Sequence, residues 1–581
     1  MTTTLEKAPA PTPEPRGRLA PVAPYASALQ IAGGALTLIG ALLPWATFVL
    51  NEGPYPEKAT LEFFTAPLAV TGFRLHLVLF GIAAIVLSLV TVPARGRMLQ
   101  GLGWGVVAVT LANTLYLVAE GGGLGTITAA DGAVAFGPIV ALVGGALIVL
   151  GGSARRREDK PVWAWRSNRY VEWAILLVTY VLLLLLVAAV LTSGGQGTAA
   201  NVYSGAVFLS FLGAVGGLLA ALQASGLLTW IAAVSERHRL FSVVVLLFVA
   251  LALPLTQAGT EYWMTVAANI GVYAATAIGL NIVVGLAGLL DLGYVAFLGI
   301  GAFVAANLSG AAAAQFDIEV PFPLVMVISA VVAGTFGAVV GSPTLRVRGD
   351  YLAIVTLAFG EIFVRSSQNN IGGFTGGSNA IPGIPPVSAF GNDFNDELII
   401  GSVELPRGAL YYVLIVLIVA AVMLVFGNLK NSRLGRAWIA IREDEDAARA
   451  MGIRTGPVKI LAFMIGATIA GFAGAFFAHK TGTVSYESFK FLESVTLLAA
   501  VILGGMGTIP GAVLGASILF VLPEKLREFA DYRLLLFGIA LILIMRFRPQ
   551  GLVPDSHRRA ELAPDSGVPP TPGTAAKAAA S

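Results

Sequence analysis

The charged stretch Asn428 to Arg454, NLKNSRLGRAWIAIREDEDAARAMGIR, holds the densest set of functional side chains in the chain. Glu443 to Asp446 place four acids in a row, which suits the positive end of a helix dipole and opens a short helix that Gly452 can stop. Ala447, Ala448 and Met451 fall three or four residues apart, giving an apolar strip on about two turns, too short to be stable alone and better explained by docking on another protein. The basic lead-in from Arg433 to Arg442 sets this segment in the cytoplasm. The candidate docking residues are therefore Arg442, Glu443, Asp444, Glu445, Asp446, Ala447, Ala448, Met451 and Gly452. The competing reading is an ordinary solvated loop.

Two carboxylates, Asp291 in GLLDLGY and Glu361 in AFGEIF, lie inside apolar runs, where an ionisable group is expensive and by default functional. With Tyr294 they are candidates to line a solute path or couple to an ion; equally, either carboxylate sits at a helix end and reaches headgroup water. Between Thr344 and Pro386 a helix carrying Glu361 runs into a Gly-, Asn- and Thr-rich loop. Its residues Asn370, Thr375, Gly376, Gly377 and Asn379 offer donors and acceptors to a polar or zwitterionic solute, because unwound backbone replaces lost hydration. The competing reading is an extracellular connection built of tight turns. The RGD at Arg348 to Asp350 falls on the cytoplasmic side, which excludes an integrin-type role.

Other chemistry is missing. There is no GxxxxGK[ST] loop to cradle nucleotide phosphates, so any ATPase must be a separate chain. His76, His238, His479 and His557 have no metal-ligand spacing, and no Ser/His/Asp set converges, so neither a metal site nor an enzymatic site is expected. Zero cysteines exclude disulfides and thiolate sites.

The elements that must position these residues are membrane helices. Of 581 residues 56% are hydrophobic and 12% charged, and the mean hydropathy is +0.82, outside the range of soluble domains. A span needs roughly 20 mostly apolar residues, and such stretches recur from Tyr25 to Arg546, giving an all-α polytopic protein of about a dozen or more crossings. Positive charges fall on alternate loops, which puts both termini in the cytoplasm, and a net charge of +3 gives no reason to expect nucleic acid as a partner.

Along the chain, residues 1–24 read as a disordered tail without a cleavable signal and 25–152 as a four-helix bundle, at Tyr25–Leu50, Leu75–Val92, Met98–Val118 and Gly132–Gly152. Residues 153–170 read as a basic linker, 171–238 as a helical hairpin (Val171–Thr192, Val202–Val234), 239–554 as a transport core and 555–581 as a second tail. In the core, apolar segments are broken by Gly and Pro, a texture tolerated in lipid only where protein or water surrounds the break. Two interrupted segments, Gly285–Ala306 and Leu503–Val521, mark a weak internal repeat. Gly507, Gly511 and Gly515, four apart, read as a smooth stripe for helix packing.

Several long motifs occur in fixed order: GLAGLLDLGYVAFLGIGAFVAA, PTLRVRGDYLAIVTLAFGEIFVR, NNIGGFTGGSNAIPGIP, SRLGRAWIAIREDEDAARAMGI, LGGMGTIPGAVLGA and RPQGL. Over roughly Leu240 to Pro554 the chain resembles the LivM-type permease subunits of branched-chain amino-acid ABC importers. The resemblance implies a second related permease, two cytoplasmic ATPase subunits that bind ATP and Mg, and an extracytoplasmic solute-binding protein. It also implies an inner (plasma) membrane location, inward movement of solute by alternating access, and a coupling role for Arg442 to Gly452. The chain itself is expected to bind no cofactor. The six or so spans before Leu240 depart from the family pattern. An ion-coupled carrier using Asp291 and Glu361, an importer of amides or urea, and a non-transporting scaffold are the alternatives.

Overall fold

The computed structural model describes residues 20–45, 72–90, 94–120, 134–154, 168–192, 204–316, 318–342, 350–389, 392–400, 403–525 and 551–553, with a few isolated positions besides. Residues 1–19 of the first proposed tail, all of the second, most of the basic linker and the arginines of the RGD stretch lie outside them; the last residues of the first tail, read as disordered, instead begin a 3-10 turn at Ala20–Tyr25 that leads into the first helix. The chain divides into two units between Ala258 and Gly259.

The first unit holds α1 (Ala26–Leu42), α2 (Phe73–Leu89), α3 (Arg95–Glu120), α4 (Phe136–Ala154), α5 (Arg169–Thr192), α6 (Ser204–Ala224), α7 (Leu227–Arg237) and α8 (Arg239–Leu251). Its helices approach through small residues: a Cβ on Gly33 would lie 2.7 Å from Gly144 O, which is how helices associate where lipid supplies no hydrophobic drive. Leu177, Val178, Leu182 and Leu185 of α5 are exposed, as suits a helix that meets hydrocarbon. The segment read as one helix from Val202 to Val234 is instead bent by 74° between α6 and α7, because Gly226 turns the backbone at φ +83°. The α8 segment, expected to open the transport core, falls in this first unit.

The second unit comprises α9 (Glu261–Asn281), α10 (Val295–Asn307), α11 (Phe322–Gly341), α12 (Asp350–Gln368), α13 (Ala409–Asn431), α14 (Arg433–Glu443), α15 (Glu445–Ala450), α16 (Thr455–Thr481), α17 (Phe491–Gly504) and α18 (Ile509–Lys525). α16 is the axis of the core. Its buried Phe463, Ala467 and Phe476 pack among α9, α10 and α11, and a Cβ on Gly471 would sit 2.4 Å from Ala333 Cβ. Outside the helices the described residues form short antiparallel ladders, one of which pairs Ile381–Pro382 with Thr483–Val484. The Tyr411 hydroxyl donates to His479 O at 3.0 Å and accepts from Val387 N at 2.9 Å, pinning the long 381–394 connection to the ends of α13 and α16.

Among the described residues eight helices are long and apolar enough to cross a membrane, or nine if α6 and α7 form one bent span. The expected dozen or so includes shorter apolar helices, α2, α8, α10 and α17, of which α10 and α17 adjoin backbone breaks and so fall short of a full crossing.

Candidate docking segment and interrupted helices

Both interrupted segments are real breaks. At its C-terminus α9 loosens into a single π turn, Ile282–Leu286, then unwinds through Gly288 (φ +69°) before α10 begins. α17 stops at Gly504, Gly505 and Gly507 adopt φ +124° and +78°, and α18 starts at Ile509. Gly507 therefore belongs to the break and not to a helical stripe. Gly511 and Gly515 do pack a helix: a Cβ on either would crowd the backbone of α17 at Gly504 and Ala500.

The freed backbone groups of the two breaks satisfy one another through a single buried side chain. Asn281 donates from Nδ2 to Thr508 O at 2.9 Å, and its Oδ1 accepts from Gly507 N at 2.7 Å. Only an amide offers a donor and an acceptor in that arrangement. The segment 551–553 also returns to the second break: Leu552 N and Val553 N donate to Leu503 O and Gly504 O, each at 2.9 Å. The RPQGL motif thus ends in contact with the LGGMGT motif.

Two cations reach the same place from the charged stretch. Arg442 donates from Nη1 to Gly285 O at 2.7 Å, inside the π turn, and Lys430 donates from Nζ to Gly507 O at 2.7 Å. The guanidinium of Arg442 is steadied on its other edge by Glu443 Oε1 at 2.7 and 3.0 Å.

The candidate docking segment is a folded knob. Ser432 caps α14 by accepting from Gly435 N, and Trp438 is fully buried with Nε1 donating to Val458 O at 2.7 Å. Asp444 Oδ1 caps α15, accepting from Asp446 N and Ala447 N at 2.9 Å each. Lys459 of α16, 5% exposed, pairs with Glu445 Oε2 at 2.6 Å. Burial opposes ionisation of Glu445, but the Lys459 hydrogen bond and charge, helped by Thr455 and Arg449, outweigh it and hold its carboxyl below the usual range. Gly452 ends the segment at φ +88°.

The apolar strip divides differently from the sequence expectation. Ala448 is 4% exposed and faces the protein, whereas Ala447 and Met451, the latter 84% exposed, face outward with Glu443, Asp444 and Asp446. Arg442 likewise turns inward, its side chain 12% exposed. A helix this short presents few residues per face, so anchoring α15 to α16 consumes Ala448.

The candidate path residues do not converge on one site. Asp291 is fully buried: Oδ1 accepts from Gly293 N at 2.9 Å, and Oδ2 has no hydrogen-bond partner among the described residues. Tyr294 is also buried, its hydroxyl committed to Gly466 O at 2.6 Å. Glu361 is exposed on α12. In the loop, Asn370 (φ +49°) accepts from Thr375 N at 3.0 Å, and Thr375 Oγ1 donates to Ser367 O at 2.8 Å. Gly376 and Gly377 adopt positive φ, and Asn379 is exposed. These polar groups brace a tight turn.

Sequence reasoning missed Asn281, Lys430 and Lys459. The available signal was a polar residue within or bordering an apolar run, as in GLNIVVGL and GPVKILAF.

Residues 262–545 match the family described as branched-chain amino acid transport system, permease component. The chain is 40% identical over 339 residues to the high-affinity branched-chain amino acid transport system permease protein LivM of Escherichia coli, covering 56% of this chain and 77% of that protein. It is 41% identical over 303 residues to the Salmonella typhimurium LivM, covering 50% and 70%. The high-affinity permease protein LivH of Escherichia coli is 27% identical over 298 residues, covering 48% and 91%. The helices α1 to α8 lie outside the family match. No solved structure matches.

Proposed function

The chain belongs to the LivM-type branched-chain amino-acid transport permeases, and from that premise we propose that it is one of two membrane subunits of an ABC importer for leucine, isoleucine and valine. The observation that carries the reading is the α14–α15 knob, whose exposed acids, Ala447 and Met451 are held out by buried anchors, on a chain without a phosphate loop of its own. A surface so braced is suited to a protein partner, since an unsupported six-residue helix would not persist in water.

In this reading two ATPase chains bind ATP and Mg, dock on Ala447 and Met451 from the cytoplasm, and drive alternating access. The likeness of the same core to LivH supports a related permease as the second membrane subunit. An extracytoplasmic binding protein delivers the solute, the protein lies in the inner membrane, and both termini are cytoplasmic. An ion-coupled carrier would require Asp291 and Glu361 to share a path; the one is buried and the other exposed.

The test is purification of the chain from its native membrane in mild detergent, with identification of co-purifying subunits, followed by leucine uptake in reconstituted vesicles. Recovery of a phosphate-loop ATPase and a second permease is expected, with leucine uptake that isoleucine and valine compete. An intact, folded sample lacking both subunits would refute the reading. Competition by amides or urea but not by leucine would refute its substrate.

A further inference from the structure

We propose that Arg442, Asn281 and Lys430 are positioning residues for transport, forming a polar linkage through which movement of the docking segment reaches both helix breaks. The proposal rests on the docking reading above and adds the route by which docking acts. Arg442 is the last basic residue of α14 and holds the π turn by the Gly285 carbonyl. Its stem lies against the first break so closely that a Cβ on Gly288 would sit 2.5 Å from Arg442 Cγ. Four residues before Gly285, Asn281 grips the second break at two points, Thr508 O and Gly507 N. Lys430, at the end of α13 and just ahead of α14, grips Gly507 O. Both breaks are thus fastened to cations at the two ends of α14, which leads into α15.

These bonds connect buried backbone groups that helices would otherwise have satisfied internally. Such groups cannot slide past one another by small amounts, because any intermediate position leaves a donor or acceptor unpaired in a low-dielectric interior. The linkage therefore has discrete states, made or exchanged, which is what transmission between a cytoplasmic partner and a membrane path requires. A π turn at the junction fits, since the extra residue per turn leaves a helix ready to re-register.

The experiment uses the whole complex, this chain with its second permease and ATPase subunits, in proteoliposomes with leucine and binding protein. Two quantities are read: leucine imported per ATP hydrolysed, and hydrogen exchange of the peptide 503–511, which contains the Gly507 amide. Arg442→Met should raise exchange of 503–511 at least fivefold, although Arg442 hydrogen-bonds to Gly285, outside that peptide, and should lower leucine per ATP about tenfold. Arg442→Lys, which keeps a donor for the Gly285 carbonyl, should bring both readouts within threefold of the native protein. Asn281→Asp, which keeps the acceptor for Gly507 N but no longer donates to Thr508 O, should lower leucine per ATP to a similar extent.

Arg442→Met with exchange of 503–511 within twofold of native, or Asn281→Asp with undiminished leucine per ATP, would overturn the linkage. If Arg442→Met does not assemble, Lys430→Met carries the same two readouts. Failure of the docking reading is seen separately, as a Met451→Asp complex that retains its ATPase, while the exchange of 503–511 in the Arg442 variants still decides the linkage.

Discussion

The ion pair between Lys459 and Glu445 holds the α14–α15 knob to the membrane core, and removing its two halves should have unequal consequences. Glu445→Ala leaves the Lys459 ammonium, 5% exposed, with no carboxylate within 4 Å among the described residues. Stranding one member of a buried pair costs about 3–5 kcal/mol, and an exposed pair contributes at most ~1 kcal/mol. Glu445 is 23% exposed, so solvent screens the pair and the expected penalty is about 1.5–3 kcal/mol. That corresponds to about 10- to 100-fold in an opening equilibrium.

The penalty falls on α15, which cannot hold itself. The amides of Ala448, Met451 and Ile453, bonded to Asp444 O, Ala447 O and Ala448 O, should therefore exchange about 10- to 100-fold faster in Glu445→Ala. Lys459→Met should be several-fold milder, because an apolar side chain of similar size fills the site while Glu445 remains partly solvated beside Arg449 at 3.2 Å. Hydrogen exchange measured by mass spectrometry on 444–453 reads both. Exchange raised less than threefold by Glu445→Ala, or equal damage from the two variants, would refute the argument.

Further outcomes follow from the same contacts. Because the folded-state pKa of Glu445 lies below its ordinary value of 4.5, its contribution is present above that value and is lost as pH falls through the lower folded-state pKa; the factor by which 444–453 exchanges faster in Glu445→Gln than in native protein should be flat at neutral pH and shrink toward one below about 4.5. Met451→Asp should leave thermal stability within about 0.5 kcal/mol, as for exposed positions generally, yet reduce ATPase co-purification about tenfold or more in a quantitative pull-down. Gly515→Val forces a Cβ into the backbone of Ala500 and should cost about 1–3 kcal/mol, seen as a lower melting temperature in detergent. Tyr294→Phe removes the hydroxyl from Gly466 O and should cost about 0.5–1.5 kcal/mol by the same assay.

Local features of this protein were legible in the order of its residues. Hydropathy marked an all-helical membrane chain, Gly and Pro marked the two interrupted segments, and acids followed by a small apolar strip and Gly452 marked a short capped helix after Arg442. Each rests on neighbours within a few positions, where propensity and backbone freedom act. The positions of long-range partners were not legible. Asn281 reads as one polar residue in an apolar run, and its partners Gly507 and Thr508 lie 226 and 227 residues away. Whether Ala448 and Arg442 face a partner or the core, and whether Asp291 and Glu361 are buried, depends on which helix lies alongside. Sequence alone determined where this chain had to break its helices, because an unpaired backbone group in lipid is costly wherever it occurs. The tertiary structure decided which groups repair the breaks, because that depends on the three-dimensional approach of segments that no local pattern encodes.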